Sequence, residues 1–190
     1  SGRKQRLLDP GGSLKVAASD FRIVERGLDG DFVRRHAGNL GAEDFLVLDA
    51  NLSADLAALL VERYAADTRV VFEPVSVEKA ARHAAALRGL FLMTPTVEEM
   101  ESLAPGGDGA VAGYMRSRGI ATILVTRGPS GLSVYGEGGE REDFTPSSIV
   151  ETGDTTGAGD LLLAALLGFL HRGAPMRQAV RSAMDAVEAC

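Results

Sequence analysis

The sequence predicts a three-layer α/β/α sandwich built on a mostly parallel sheet. Three observations carry that prediction. From Glu43 to Thr126, short apolar runs of strand length alternate with longer stretches of helical period. Polar residues able to do chemistry follow those runs at their carboxyl ends, where open parallel sheets bind ligands. Then a glycine-punctuated turn from Thr152 leads into Leu161 to Leu170, an apolar run rich in Leu and Ala and long for a strand, which reads as a buried helix. Strands alternating with helices imply right-handed crossovers and a sheet covered on both faces.

The elements follow in order. Residues 1 to 13 are polar and turn-rich, and the basic start (Arg3, Lys4, Arg6) reads as a solvated tail. Leu14 to Ala18 and Phe21 to Glu25 are candidate short strands, and Asp29 caps a short helix to His36. Phe45 to Leu48 is a strand ending at Asp49-Ala50-Asn51. Ser53 then caps a helix with Leu56, Leu59, Leu60 and Tyr64 on one face. Val70 to Phe72 is a strand ending at Glu73-Pro74, and Val77 to Leu87 is a helix of Ala and Leu. Leu90 to Met93 is a third strand, followed by Thr94-Pro95-Thr96 and a helix from Val97 to Leu103. A helix from Ala110 to Arg118 leads to a fourth strand, Thr122 to Thr126. Arg127 to Gly131 is a turn, and Leu132 to Tyr135 and Glu140 to Phe144 form a hairpin. A last helix starts near Pro175, with Met176, Val180, Ala183 and Val187 on one stripe.

Composition narrows the function. The 190 residues are the size of one domain, and 45% are apolar. A net charge of −6 argues against an electrostatically driven nucleic-acid or membrane partner. Cys190 is the only cysteine, so there is no internal disulfide, and His36, His83 and His171 lack ligand spacing. No apolar run reaches membrane-spanning length, and a cytoplasmic location is expected.

The chemistry collects in the turn before the apolar helix. Gly157 and Gly159 leave no side chain in front of the backbone amides. Asp160 falls in the first helical turn, where free N–H groups and the positive end of the helix dipole favour an anion such as phosphate. A carboxylate at the anion's edge can take a proton from an attacking hydroxyl. No Lys-Ser/Thr pair follows the glycines, so this is not a P-loop. Leu162 stands at the third glycine position of a dinucleotide fingerprint, which excludes that motif too. Singly, Asp49, Asn51, Glu99, Gly128 and Gly131 each have plain readings as turn or surface residues. Together on one sheet edge they read better as one site.

The string Asp154-Thr155-Thr156-Gly157-Ala158-Gly159-Asp160 resembles the C-terminal signature of the PfkB, or ribokinase-like, family of sugar and nucleoside kinases. The resemblance covers most of the chain from about Leu7. It implies that Asp160 is the catalytic base and that Gly157, Ala158 and Gly159 form an anion hole for the transferred phosphoryl group. Thr126-Arg127-Gly128-Pro129-Ser130-Gly131 resembles the family's nucleotide-binding turn, placing Thr126, Gly128 and Gly131 against ATP. Thr94 to Glu99 stands where the family has Asn-x-x-Glu, which organises Mg²⁺ and its waters; Glu99 keeps the acid, and Thr96 replaces the amide with a hydroxyl. Asp154 and Thr156 resemble residues that hold a monovalent cation, K⁺, beside the anion hole.

Asp49-Ala50-Asn51-Leu52-Ser53 and Glu73-Pro74-Val75-Ser76-Val77-Glu78-Lys79-Ala80 are most similar to the pseudouridine kinase branch, and at the strand ends they would touch phosphates or shape the pocket floor without reading the base, which makes Asp49 and Asn51 candidate substrate contacts. The implied activity is ATP-dependent phosphorylation of a sugar or nucleoside hydroxyl, with pseudouridine to its 5′-phosphate as the leading case. Ribokinase-, fructokinase- or adenosine kinase-like specificity stays open, as does a catalytically silent nucleotide-binding module. The expected partners are a small-molecule substrate and, in a homodimer, a second copy, with no nucleic acid and no membrane. The alignment also implies the C-terminal portion of a single kinase domain, incomplete at the amino side, with 1–40 an irregular lead-in and 41–190 the core.

Overall fold

The computed structural model describes residues 3–8, 14–20, 27–36, 38, 40–147 and 157–189. At the amino end a strand stands where a tail is expected. Strand β1 (Arg3–Leu8) pairs antiparallel with β2 (Leu14–Asp20) in a separate two-stranded sheet. The expected strand at Phe21 to Glu25 lies outside the described residues. Strands β3 (Phe45–Asp49), β4 (Arg69–Glu73), β5 (Leu92–Met93), β6 (Thr122–Thr126), β7 (Leu132–Tyr135) and β8 (Arg141–Phe144) form the main sheet in that order. The first four are parallel, and β7 and β8 add an antiparallel hairpin. The register sets Asp49 of β3 opposite Glu73 of β4, so both acids end at one edge.

Seven helices are described: α1 (Gly30–His36), α2 (Ala54–Tyr64), α3 (Val77–His83), α4 (Val97–Leu103), α5 (Asp108–Arg118), α6 (Ala158–His171) and α7 (Met176–Glu188). Side chains alternate across each strand, and so build two cores. On one face Leu48, Phe72, Met93 and Ile123 pack with Leu60 of α2, Met100 of α4 and Met115 of α5. On the other, Val71, Leu92, Leu124 and Leu132 pack with Leu166 of α6 and Val180 of α7. Each such fully buried side chain contributes roughly 1.5–3 kcal/mol. The helices start where polar caps stand. The Ser53 hydroxyl accepts from the Leu56 amide at 3.3 Å and the Ser76 hydroxyl from the Lys79 amide at 3.4 Å.

Several boundaries differ from the expected ones. Helix α3 stops at His83 rather than Leu87, because the next residues turn back, with the Ala86 amide donating to the His83 carbonyl at 2.8 Å. Strand β5 keeps only two residues. Leu59 is 36% exposed, since the buried stripe of α2 runs through Leu56, Ala57, Leu60, Val61 and Tyr64. Helix α6 is not the buried helix its composition suggests. Only Leu166 is fully buried and Leu161 is 36% exposed, because α6 lies against one sheet face with α7 beside it, which leaves part of its circumference uncovered by the described residues. Among the described residues, no helix is long and apolar enough to cross a membrane.

Candidate active site

Backbone bonds stitch the carboxyl edge of the parallel strands together. The Ala50 amide donates to the Glu73 carbonyl at 3.0 Å, Thr94 to Phe72 at 3.1 Å, and Thr126 to Pro95 at 2.9 Å. Thr96 and Thr126 form a further parallel bridge. The first turn of α6 lies over this edge and encloses a cavity of about 100 Å³. Glu73, Thr94, Thr96 and Thr126 line it from the strand ends, Gly159 and Asp160 from the helix, and leucines of β6 and α6 complete its wall.

The start of α6 exposes backbone amides at the cavity. Gly157 sits at φ +89°, a left-handed conformation that glycine adopts without steric cost, and among the described residues no side chain caps α6. Its first amides are therefore available to a ligand. A Cβ on Gly159 would meet nothing within 4 Å among the described residues, so packing does not require a glycine there. Asp160 is exposed in that same turn.

Glu73 was placed on this edge by the sequence but given no role. Burial pushes its carboxyl up to about 7, and the charges of Glu99, Asp49 and Asp160 add to the effect against a favourable bond from the Val75 amide. Val75 itself sits at φ +67°, a conformation costly for a β-branched residue. Glu99 is only 5% exposed, which excludes its reading as a solvated helix residue. It closes a capping box on α4: its carboxylate accepts from the Thr96 amide at 2.8 Å, and the Thr96 hydroxyl accepts from the Glu99 amide at 3.3 Å. The Thr94 hydroxyl, on the cavity wall, is buried without a hydrogen-bond partner.

Beside the cavity, Asp49 accepts from the Asn51 amide at 2.9 Å and from Asn51 Nδ2 at 2.7 Å, and Lys79 Nζ donates to Asn51 Oδ1. Beyond β6, Gly128–Ser130 form a 3₁₀ turn. Gly128 sits at φ +55° facing open space. Gly131 has a packing reason of its own, since a Cβ there would lie 2.0 Å from the Phe144 carbonyl oxygen.

Thus Thr96, Thr126, Gly159 and Asp160 share one cavity, with Gly157 and Ala158 in the adjoining turn. Asp49 and Glu99 act on it through Glu73. Asn51, Gly128 and Gly131 do not line it. Asp154 and Thr156 lie outside the described residues. Sequence reasoning missed Thr94 and Lys79; each follows a residue or motif already flagged, but only the fold gives them neighbours. Among the described residues, no three His, Cys, Asp or Glu side chains are arranged to hold a metal directly. An acidic edge of hard oxygen donors does fit a hydrated Mg²⁺ shared with phosphates, which usually needs one or two carboxylates.

Residues 23–186 match the model of the pfkB family carbohydrate kinases. The chain is 26% identical over 186 residues to the pseudouridine kinase of Escherichia coli K12, covering 93% of this chain and 58% of that protein. It is 31% identical over 144 residues to the bifunctional protein HldE of Rhodospirillum rubrum, covering 72% of this chain and 27% of that one. Among solved structures, a carbohydrate kinase from Agrobacterium tumefaciens aligns with TM-score 0.72 at 27% identity, over 98% of this chain and 61% of its own. Arabidopsis thaliana ribokinase, complexed with ribose and ATP, aligns with TM-score 0.74 at 18% identity, over 100% and 62%. The chain therefore spans less than two thirds of these relatives' lengths. With its α/β sheet in place and the family match running from residue 23 to 186, the chain belongs to the pfkB family of carbohydrate kinases.

Proposed function

We propose that the protein transfers the γ-phosphoryl group of ATP to a hydroxyl of a sugar or nucleoside, with pseudouridine as the substrate and its 5′-phosphate as the product. The observation that carries the reading is the shared cavity, in which Asp160 and the open amides of α6 face the strand-end threonines and Glu73. Asp160 takes the proton of the acceptor hydroxyl. The acceptor oxygen bonds the γ-phosphorus, the bond from that phosphorus to the bridging oxygen of ADP breaks, and ADP leaves with the electron pair. The amides of Gly157, Ala158 and Gly159 hold the negative charge on the phosphoryl oxygens, aided by the helix dipole. Thr126 and Gly128 contact the nucleotide. Glu99 and Glu73 would hold Mg²⁺ through its waters; when bound, the ion neutralises phosphate charge. Asp154 and Thr156 are the residues that would hold K⁺.

Two relatives support the nucleoside: the E. coli pseudouridine kinase and the pseudouridine kinase of Arabidopsis thaliana, 31% identical over 100 residues. A competition assay on the protein as its gene encodes it, with pseudouridine, uridine, ribose and fructose against ATP and Mg²⁺, tests the choice. Pseudouridine should lead by at least roughly 10²-fold in kcat/KM, the discrimination that buried hydrogen bonds left unpaired can supply. Best turnover of ribose or fructose would keep the kinase reading and remove the pseudouridine one.

A further inference from the structure

Helix α3 contributes no residue to the cavity, yet two of its side chains reach into the loop that carries Asp49 and Asn51. The first is Lys79. Lysine only donates and an ionised aspartate only accepts, so the neighbours of Asn51 fix its amide: Oδ1 faces Lys79 Nζ and Nδ2 faces Asp49 Oδ2. The second is His83, one turn further on. Its ring is 0% exposed and packs on Phe72, with centroids 5.5 Å apart. Nδ1 lies 2.8 Å from the Lys79 carbonyl oxygen and Nε2 lies 3.0 Å from the Leu52 carbonyl oxygen. An apolar residue would fill that place without burying ring nitrogens, which is costly. Both ring nitrogens face carbonyl oxygens, which only accept, and in the tautomer with the proton on Nε2 the ring donates to Leu52, which an apolar residue could not do.

We propose that Lys79 and His83 are positioning residues for the acceptor side of the site: together they set the shape of the Asp49 to Ser53 loop, Lys79 by orienting the Asn51 amide and His83 by holding the Leu52 carbonyl. The proposal rests on the reading of Asp49 and Asn51 as substrate contacts. Neither residue touches the reacting atoms, so their loss acts on acceptor binding and leaves the ATP side alone. A loop displaced by a fraction of an ångström is enough, because misplacement of about 1 Å can cost roughly 10²-fold.

The test compares His83→Leu, His83→Gln and Lys79→Met in the full protein. His83→Leu and Lys79→Met should each raise the acceptor KM by about 10-fold or more, with the ATP KM unchanged and kcat within about threefold. Gln reaches Leu52 with an N–H in place of Nε2, so His83→Gln should restore the acceptor KM to within about threefold of the parent. Hydrogen exchange at the amides of Ala50 to Ser53, read without substrate, should quicken in His83→Leu and stay slow in His83→Gln. An unchanged acceptor KM in both His83→Leu and Lys79→Met, or a His83→Gln variant indistinguishable from His83→Leu, would overturn the proposal. Should His83→Leu fail to fold, Lys79→Met and His83→Gln decide alone. If exchange responds as described while the parent phosphorylates no sugar or nucleoside, the loop clamp stands and the kinase reading fails.

Discussion

Two sets of carboxylates are built in opposite ways. Beside the β7–β8 hairpin, Asp108 of α5 and Asp143 of β8 are each held by several partners. Arg141 grips Asp108 through two bonds of 2.8 Å and Asp143 through bonds of 3.0 and 3.1 Å. The Tyr135 hydroxyl donates to Asp108 at 2.7 Å, Ser133 donates to Asp143 at 2.6 Å, and Arg127 pairs with Asp143 at 3.1 Å. The Tyr135 bond, then Arg141, holds Asp108 below the usual carboxylate range, and Ser133, with Arg141 and Arg127, does the same for Asp143. On the cavity edge the balance reverses. Glu73 is pushed up to about 7 by burial and by three other acids, against a favourable bond from the Val75 amide. Paired acids tie the hairpin to α5 and to Arg127 at the head of the Gly128–Ser130 turn. An uncompensated acid destabilises the fold, and such groups cluster where a ligand supplies the missing charge.

The sharpest way to break this contrast is at Asp160. Asp160→Asn should cut turnover by roughly 10²- to 10⁴-fold while ATP affinity stays within about twofold, the signature of a lost general base. Turnover within a few-fold of the parent would take Asp160 out of the chemistry.

Glu73→Gln should act in two directions. Below pH 4.5 the carboxyl is protonated in folded and unfolded chains alike, so the substitution changes little. As pH rises to about 7 the unfolded chain ionises first and the native Glu73 loses stability relative to Gln. Above pH 7 the variant should be more stable by up to about 3 kcal/mol in denaturant melts, yet turn over more slowly. A variant no more stable at pH 8 than at pH 4.5 would mean that Glu73 is compensated after all.

Gly131→Ala should cost about 2 kcal/mol or more, because it places a Cβ against the Phe144 carbonyl at φ +91°. Gly128→Ala meets open space and should cost only about 1 kcal/mol, with its main effect on ATP KM. Equal losses in the two melts would remove the distinction between a packing glycine and a ligand-facing one. Least affected is Arg141→Met. Its partners are largely exposed, so stability should fall by less than about 1 kcal/mol near neutral pH. The loss should vanish as pH drops below the ordinary aspartate range, since the lowered acids contribute only where they are ionised.

The elements that bear the site were legible because local signals set them. Ser53 and Thr96 cap helices where hydroxyls precede an apolar period, and β6 runs from Thr122 to Thr126 as its apolar run predicts. Asp160 could be placed in the first turn of a helix from its glycines alone. What was hidden depends on residues distant in sequence. Strand β1 looks like a basic tail until β2 pairs with it. The contact of the buried His83 ring with Leu52 could not be read either, since the two lie 31 residues apart. The role of Glu73 is set by burial and by acids from three other elements, and that of Gly131 by a carbonyl on β8.

The central claim is that the acidic edge, with Asp160 beside the first amides of α6, moves a phosphoryl group to a hydroxyl. Label transfer from γ-labelled ATP reads that step directly. With Mg²⁺ and pseudouridine, the parent protein should place the label on the nucleoside as a 5′-phosphate, one for each ADP released, and Asp160→Asn should lose the transfer while still binding ATP. Label released only as inorganic phosphate, or transferred equally well by Asp160→Asn, would contradict it.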